Sequence, residues 1–160
     1  MFQLFKGKNN KITLGAPIQG EAVPISAVSD PTFGEEILGK GIAIKPSIGR
    51  VVAPADGVIN IMFDTKHAIS MTTDTGVEIL IHIGLDTVKL GGEHFTSHVQ
   101  ADDKVKAGDL LLEFNIDKIQ EAGYDIISPI VICNTADYKD VVGITGHTVQ
   151  PLDEIIQLMK

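Results

Sequence analysis

The chain has 160 residues, 44% hydrophobic and 21% charged, with a formal net charge of −8. That length suits one domain with a proper core, and the acidic balance argues against a nucleic-acid role while favouring a basic protein partner. No run is apolar enough to span a membrane or form a signal-peptide core, and the single cysteine, Cys133, excludes an internal disulfide and fits a reducing cytoplasm.

The apolar start Met1-Phe2-Gln3-Leu4-Phe5 is followed by Lys6, Lys8 and Lys11. Such a stretch gives at most weak contact with an anionic membrane surface, and residues 1–11 read as a flexible N-terminal segment. Strands are predicted at residues 12–14, 41–44, 57–63, 67–71, 76–83, 109–114 and 128–133, where apolar or alternating runs are bounded by Gly, Pro, Asp and Asn. Turns are expected at Asp56-Gly57, Asp74-Thr75-Gly76 and Ala107-Gly108-Asp109. Helical signal is thin. Residues 30–38 hold a turn of helix between strands, and residues 115–121 form a short helix with Asn115 as N-cap and Gly123 near the C-cap. Sixteen glycines, no tryptophan and few aromatics agree with an all-β chain of many short strands. Cys133 closes the apolar run Ile130-Val131-Ile132 and is expected to be a small buried hydrophobe.

Ala16-Pro17-Ile18-Gln19-Gly20 is echoed by Ala53-Pro54-Ala55-Asp56-Gly57. Two copies suggest a pseudo-symmetric β-sandwich with equivalent hairpins facing one another. A common strand-opening turn would produce the same words without symmetry.

The chemistry concentrates in Thr65-Lys66-His67-Ala68 and Val77-Glu78-Ile79-Leu80-Ile81-His82-Ile83-Gly84-Leu85-Asp86-Thr87. Alternation puts Val77, Ile79, Ile81 and Ile83 on one face, which must be core, and turns Glu78, Leu80 and His82 to the other. Pairing across Asp74-Thr75-Gly76 brings His67 and His82 near one another in a simple register. A neutral imidazole is a good nucleophile near neutral pH, and its phosphoramidate keeps the group transferable. The other ring nitrogen needs an acceptor, for which Gly84 lets a backbone carbonyl approach. A second imidazole can donate to the phosphoryl oxygens, and the Thr65 hydroxyl can orient it. On these features alone a structural histidine is the commoner explanation.

The sequence resembles the enzyme IIA domain of the glucose class of the bacterial phosphoenolpyruvate-dependent sugar phosphotransferase system, from about Ile12 to Lys160. The resemblance is carried by Gly41-Ile42-Ala43-Ile44-Lys45-Pro46, Val52-Ala53-Pro54-Ala55-Asp56-Gly57, Thr65-Lys66-His67-Ala68 and Ile79-Leu80-Ile81-His82-Ile83-Gly84-Leu85-Asp86-Thr87-Val88. It implies that residues 12–160 are a single phosphocarrier domain, an antiparallel β-sandwich with one or two short helical segments. It implies His82 as the phosphorylated residue through Nε2, His67 as the neighbour that stabilises the phosphoryl group, and Thr65 and Gly84 in their hydrogen-bond network. Asp30 and Asp86 match two aspartates flanking the site. Phe33, Ile37, Leu38, Phe63, Leu80 and Val88 fall where the family has an apolar rim, which would exclude water and dock partners; among them Leu80 is expected to be exposed. The implied donor is the histidine-containing phosphocarrier protein, and the acceptor is a cysteine of an enzyme IIB domain during sugar uptake. Docking on other, regulated proteins is implied as well. No cofactor is required, and Cys133 is not the acceptor cysteine. Met1 favours a free-standing chain.

Departures from the family pattern are few: Pro31 beside Asp30, and His94 and His98, which read as surface histidines. A zinc peptidase would need three protein ligands, and His67 and His82 supply two, enough only for adventitious zinc. A biotinyl or lipoyl carrier is suggested by the stretch 105–113, read as a closing hairpin, but Lys66 lacks the setting of a modified lysine.

Overall fold

The structure, a computed structural model, describes residues 11–160. The apolar N-terminal run and Lys6 and Lys8, with the membrane contact expected of them, lie outside the described residues. Fourteen strands follow: β1 (Lys11–Gly15), β2 (Gly20–Pro24), β3 (Lys40–Pro46), β4 (Arg50–Val52), β5 (Gly57–Met62), β6 (Ala68–Thr73), β7 (Glu78–His82), β8 (Phe95–Ser97), β9 (Lys104–Val105), β10 (Leu110–Phe114), β11 (Ser128–Ile132), β12 (Asp140–Gly143), β13 (His147–Val149) and β14 (Glu154–Met159). Two helices interrupt them, α1 (Pro31–Gly34) and α2 (Ile116–Glu121). The Asn115 side chain caps α2 by accepting from the Lys118 amide at 3.0 Å, as its sequence predicts. Asp30 caps α1 in the same way, accepting from Thr32 N at 3.0 Å, with Pro31 at the first helical position where its missing N–H costs nothing.

An eight-stranded sheet in the order β13-β2-β3-β11-β7-β6-β5-β9 faces two three-stranded sheets, β1-β14-β12 and β4-β10-β8. The recorded strand pairs are antiparallel, among them β6 with β7 and β7 with β11. The main core lies between these sheets, drawing Leu14, Ile156, Leu111, Leu112, Ile59, Ile79 and Ile81 from several of them. Val77, Ile79, Ile81 and Ile83 are all buried in this core, as alternation requires.

A second, smaller cluster sits on the opposite face of the large sheet. Val23, Ile25, Val28, Phe33, Ala43, Leu85, Ile127 and Val131 pack there, with Leu80 against them. Residues 25–38 therefore fold over the outer end of β7. The strand patterns alone do not reveal this cover, and it corrects the expectation for Leu80, which is half-buried. Beyond its reach the same face is open. Cys133 follows β11 with its amide bonded to the Glu78 carbonyl at 2.8 Å and is exposed, not buried. The uniform apolar run hid its parity with outward-facing Glu78.

The short echo is structural. Gly15 N donates to Pro54 O at 3.2 Å, and reciprocally Val52 N donates to Pro17 O at 2.8 Å. Ala16 exchanges bonds with Leu152 and Asp153, and Ala53 exchanges the matching pair with Gly108 and Asp109. The two turns that close these exchanges match in detail. Gln150 N bonds the Asp153 carboxylate at 2.8 Å as Lys106 N bonds that of Asp109 at 2.9 Å. Leu152 takes φ +75° where Gly108 takes φ +93°. The stretch from Val105 to Glu113 is accordingly no lipoyl-type hairpin: β9 pairs with β5, and β10 pairs with β4 and β8.

Candidate functional site

His82 ends β7, and Ala68, which opens β6, stands opposite it in the ladder. His67 lies one residue before β6, not within it. The chain turns through Lys66 in the left-handed region (φ +58°), with Lys66 N bonded to Phe63 O at 2.8 Å. The His67 carbonyl still accepts from Ile83 N at 2.7 Å, so the ladder extends one bond past the strand and holds the two histidines side by side. Their ring centroids are 4.9 Å apart with planes at 83°.

Each ring is anchored through Nδ1. His82 Nδ1 lies 2.7 Å from Gly84 O. A carbonyl can only accept, so this nitrogen carries the proton and Nε2 keeps its lone pair. His67 Nδ1 lies 2.6 Å from Thr65 Oγ1, a hydroxyl able to donate or accept. Neither Nε2 has a hydrogen-bond partner among the described residues. Gly84 sits at φ +75°, and a Cβ there would come within 2.7 Å of Thr87 Cγ2 and 2.8 Å of Asp125 O. Only glycine fits this close approach without strain.

Burial keeps both rings neutral. His67 is pushed down to about 4, first by desolvation and then by the neighbouring His82. His82 is also lowered by desolvation, against which the bond to Gly84 and the carboxylates of Asp30 and Asp86 favour a positive ring.

The remaining expected residues differ in burial. The Phe33 ring is 4.9 Å from that of His82 but is itself buried in the smaller core. Phe63, half-buried, stands edge-on to His67 at 5.6 Å. Ile37, Leu38 and Val88 are exposed at 69%, 41% and 48%, the first two in the segment after α1 and the third in the turn after Asp86. Asp86 takes a left-handed conformation (φ +60°) at the start of a short 3-10 turn spanning Thr87–Leu90. Ser128 and Thr87, buried hydroxyls beside Gly84, carried no signal that marked them for the site. His94 and His98 make no hydrogen bond to either ring: His98 Nε2, just after β8, pairs with Glu113 of β10 at 2.8 Å. No group of three or more His, Cys, Asp or Glu side chains gathers as a metal would require among the described residues.

The sequence model of the family described as "phosphoenolpyruvate-dependent sugar phosphotransferase system, EIIA 1" matches residues 12–138. The chain belongs to this family. The IIA domain is 45% identical over 144 residues to the glucose-specific EIIA component of Oceanobacillus iheyensis, covering 90% of this chain and 87% of the relative. It is 46% identical to β-glucoside-specific EIIBCA components of Dickeya chrysanthemi and Bacillus subtilis, over 92% and 89% of this chain but only 23% and 24% of those longer proteins. Among solved structures it resembles the glucose permease IIA from Mycoplasma capricolum, with a TM-score of 0.87 and 35% identity over 98% of this chain and 99% of that one. The IIA domain is thus a phosphotransferase component that works through a phosphohistidine in sugar uptake, on an antiparallel β-sandwich. Its family acts with a sugar-specific EIIB domain. No helix among the described residues is long and apolar enough to cross a membrane.

Proposed function

We propose that His82 carries the phosphoryl group on Nε2 and that His67 stabilises it there. The observation that carries this reading is the 2.7 Å contact from His82 Nδ1 to the Gly84 carbonyl, which leaves Nε2 as the nucleophile. In the transfer, the Nε2 lone pair forms a new N–P bond as the donor's bond to phosphorus breaks in line, and the donor nitrogen leaves with the electron pair. His82 retains its Nδ1 proton, so positive charge develops on the ring. The Gly84 carbonyl and the carboxylates of Asp30 and Asp86 stabilise that charge. With the Thr65 hydroxyl donating to His67 Nδ1, His67 Nε2–H is free to donate to the phosphoryl oxygens. No metal or cofactor enters the reaction, and zinc held by the two imidazoles would only compete with it.

The donor is the histidine-containing phosphocarrier protein, and the acceptor is a cysteine of a glucose-class enzyme IIB domain, in the cytoplasm. Exposed Ile37, Leu38 and Val88 form the apolar surface on which they dock. The same rim serves docking on other proteins. Incubation with enzyme I, the histidine-containing phosphocarrier protein and phosphoenolpyruvate tests the assignment. A single acid-labile phosphoryl group is expected, and labelling that survives His82→Ala would sink it.

A further inference from the structure

Two buried hydroxyls flank the Gly84 peptide in a layer that is otherwise mostly aliphatic. Thr87 and Ser128 are both fully buried. The Thr87 hydroxyl donates to the Ile83 carbonyl. Ser128 Oγ accepts from Gly84 N at 3.3 Å and donates its own proton to Ile126 O at 2.8 Å. The Ile83 carbonyl and the Gly84 N–H belong to one peptide unit, which is therefore gripped at its oxygen by Thr87 and at its nitrogen by Ser128. The next unit is gripped likewise: Leu85 N donates to Asp125 O at 3.0 Å, and its oxygen is the Gly84 carbonyl that receives His82 Nδ1. Packing alone would be satisfied by valine at 87 and alanine at 128. A buried hydroxyl instead costs desolvation that only its hydrogen bonds offset.

We propose that Thr87 and Ser128 are positioning residues for phosphoryl transfer: by clamping the Ile83–Gly84 peptide from both sides they fix the Gly84 carbonyl against His82 Nδ1 and so hold the nucleophilic Nε2 tautomer. This rests on His82 being the phosphorylated residue. Gly84 has no side chain to fix its own peptide, and at φ +75° it has wide conformational freedom. A free carbonyl would swing away, and the ring would populate the tautomer with its proton on Nε2, which leaves that nitrogen no lone pair for phosphorus. Ser128 reaches this point from β11, and Thr87 from the 3-10 turn after Asp86, so the tautomer of His82 depends on two elements distant in sequence.

The test compares Thr87→Val, which keeps the shape and loses the hydroxyl, with Thr87→Ser, which keeps the hydroxyl, and adds Ser128→Ala. Thr73→Val is the control, removing a buried hydroxyl that bonds Val77 N at the other end of the β6–β7 hairpin. The readouts are the ¹⁵N shifts of the His82 ring, which report the tautomer, and the rate at which the histidine-containing phosphocarrier protein phosphorylates each variant. In Thr87→Val and Ser128→Ala the His82 shifts should move toward the Nε2-protonated form. Labelling should slow about fivefold to tenfold, the size of one lost hydrogen bond. Thr87→Ser should restore both, and Thr73→Val should lower only the melting temperature. Should Thr87→Val fail to fold, Ser128→Ala and Thr87→Ser decide the matter by the same shifts. Wild-type tautomer and rate in Ser128→Ala or folded Thr87→Val would overturn the proposal while leaving His82 as the carrier. Wild-type protein labelled on another residue would instead overturn the carrier assignment.

Discussion

The molecule holds two histidine pairs whose side chains are anchored differently. His94, half-buried in a turn before β8, and exposed His98, just after β8, lie four positions apart, and their charged contacts are carboxylates: Glu113 at 2.8 Å from His98 and Glu93 at 4.0 Å from His94. His67, just before β6, and His82, at the end of β7, meet across a hairpin with ring centroids 4.9 Å apart. Their Nδ1 atoms face a hydroxyl and a carbonyl, and burial holds them neutral. For His82, burial outweighs the Gly84 bond and the Asp30 and Asp86 carboxylates and keeps the ring neutral, while the Gly84 carbonyl holds its proton on Nδ1 and leaves Nε2 free. On the proposed assignment, what marks His82 as the carrier is its anchor, not its proximity to another histidine.

The comparison is broken most severely by exchanging the pairs' fates. His82→Ala is expected to abolish phosphorylation by the donor system, whereas the double variant His94→Ala, His98→Ala keeps the wild-type rate, read by mass shift under identical conditions. The surface pair adds at most a few tenths of a kcal/mol to stability, because an exposed ion pair is screened by water. His67→Ala should accept phosphate on His82 yet pass it to an enzyme IIB domain about a hundredfold more slowly, the typical cost of one lost donor to a developing anion. A burst of labelling with normal onward transfer would show that His67 has no such role. Thr65→Val removes the hydroxyl that sets the His67 tautomer. It should slow onward transfer by about tenfold and leave labelling intact.

Stability against pH separates the pairs in a gentler way. The unfolded chain protonates its histidines near 6.5, while folded His67 does so only at about 4. Between those values the unfolded state binds more protons, so stability falls as the pH drops through that window. The slope from His67 alone is at most about 1.4 kcal/mol per pH unit. Chemical denaturation at pH 7 and pH 5 should show this loss, and His67→Ala should flatten it, whereas the double His94, His98 variant should not. The smallest effect is expected of metal removal: chelator treatment should leave the labelling rate unchanged or slightly raised. A rate that collapsed with chelator and returned with zinc would show that the imidazoles serve a metal.

Sequence patterns reached this site because its main elements are local. Alternation from Val77 to Ile83 and the turn at Asp74-Thr75-Gly76 suffice to face His82 outward and bring His67 close. Gly84 was legible for its close approach, and Asn115 for its cap. What escaped depended on contacts between distant segments. Ile25, Val28 and Phe33 pack over the outer face of β7, so Leu80 is half-hidden although strand alternation predicts exposure, and Phe33, which the family resemblance puts on the rim, is buried. Cys133 looked like core because an unbroken apolar run hides which of its members faces outward. Lys66 in the left-handed region moved His67 off the strand without spoiling the pairing. Ser128 had no local signal, since its role exists only where β11 passes Gly84. The short Ala-Pro echo was ambiguous by itself, and its meaning emerged from the reciprocal bonds between the copies.

On the proposed assignment, the Gly84 carbonyl dictates which nitrogen of which histidine carries the group. This is tested most directly by ¹⁵N–¹H correlation NMR of the protein before and after phosphorylation. The account predicts that His82 alone changes, with phosphorus bonded to Nε2 and the proton retained on Nδ1. Phosphorus on Nδ1 of His82, or on any ring nitrogen of His67, would contradict it.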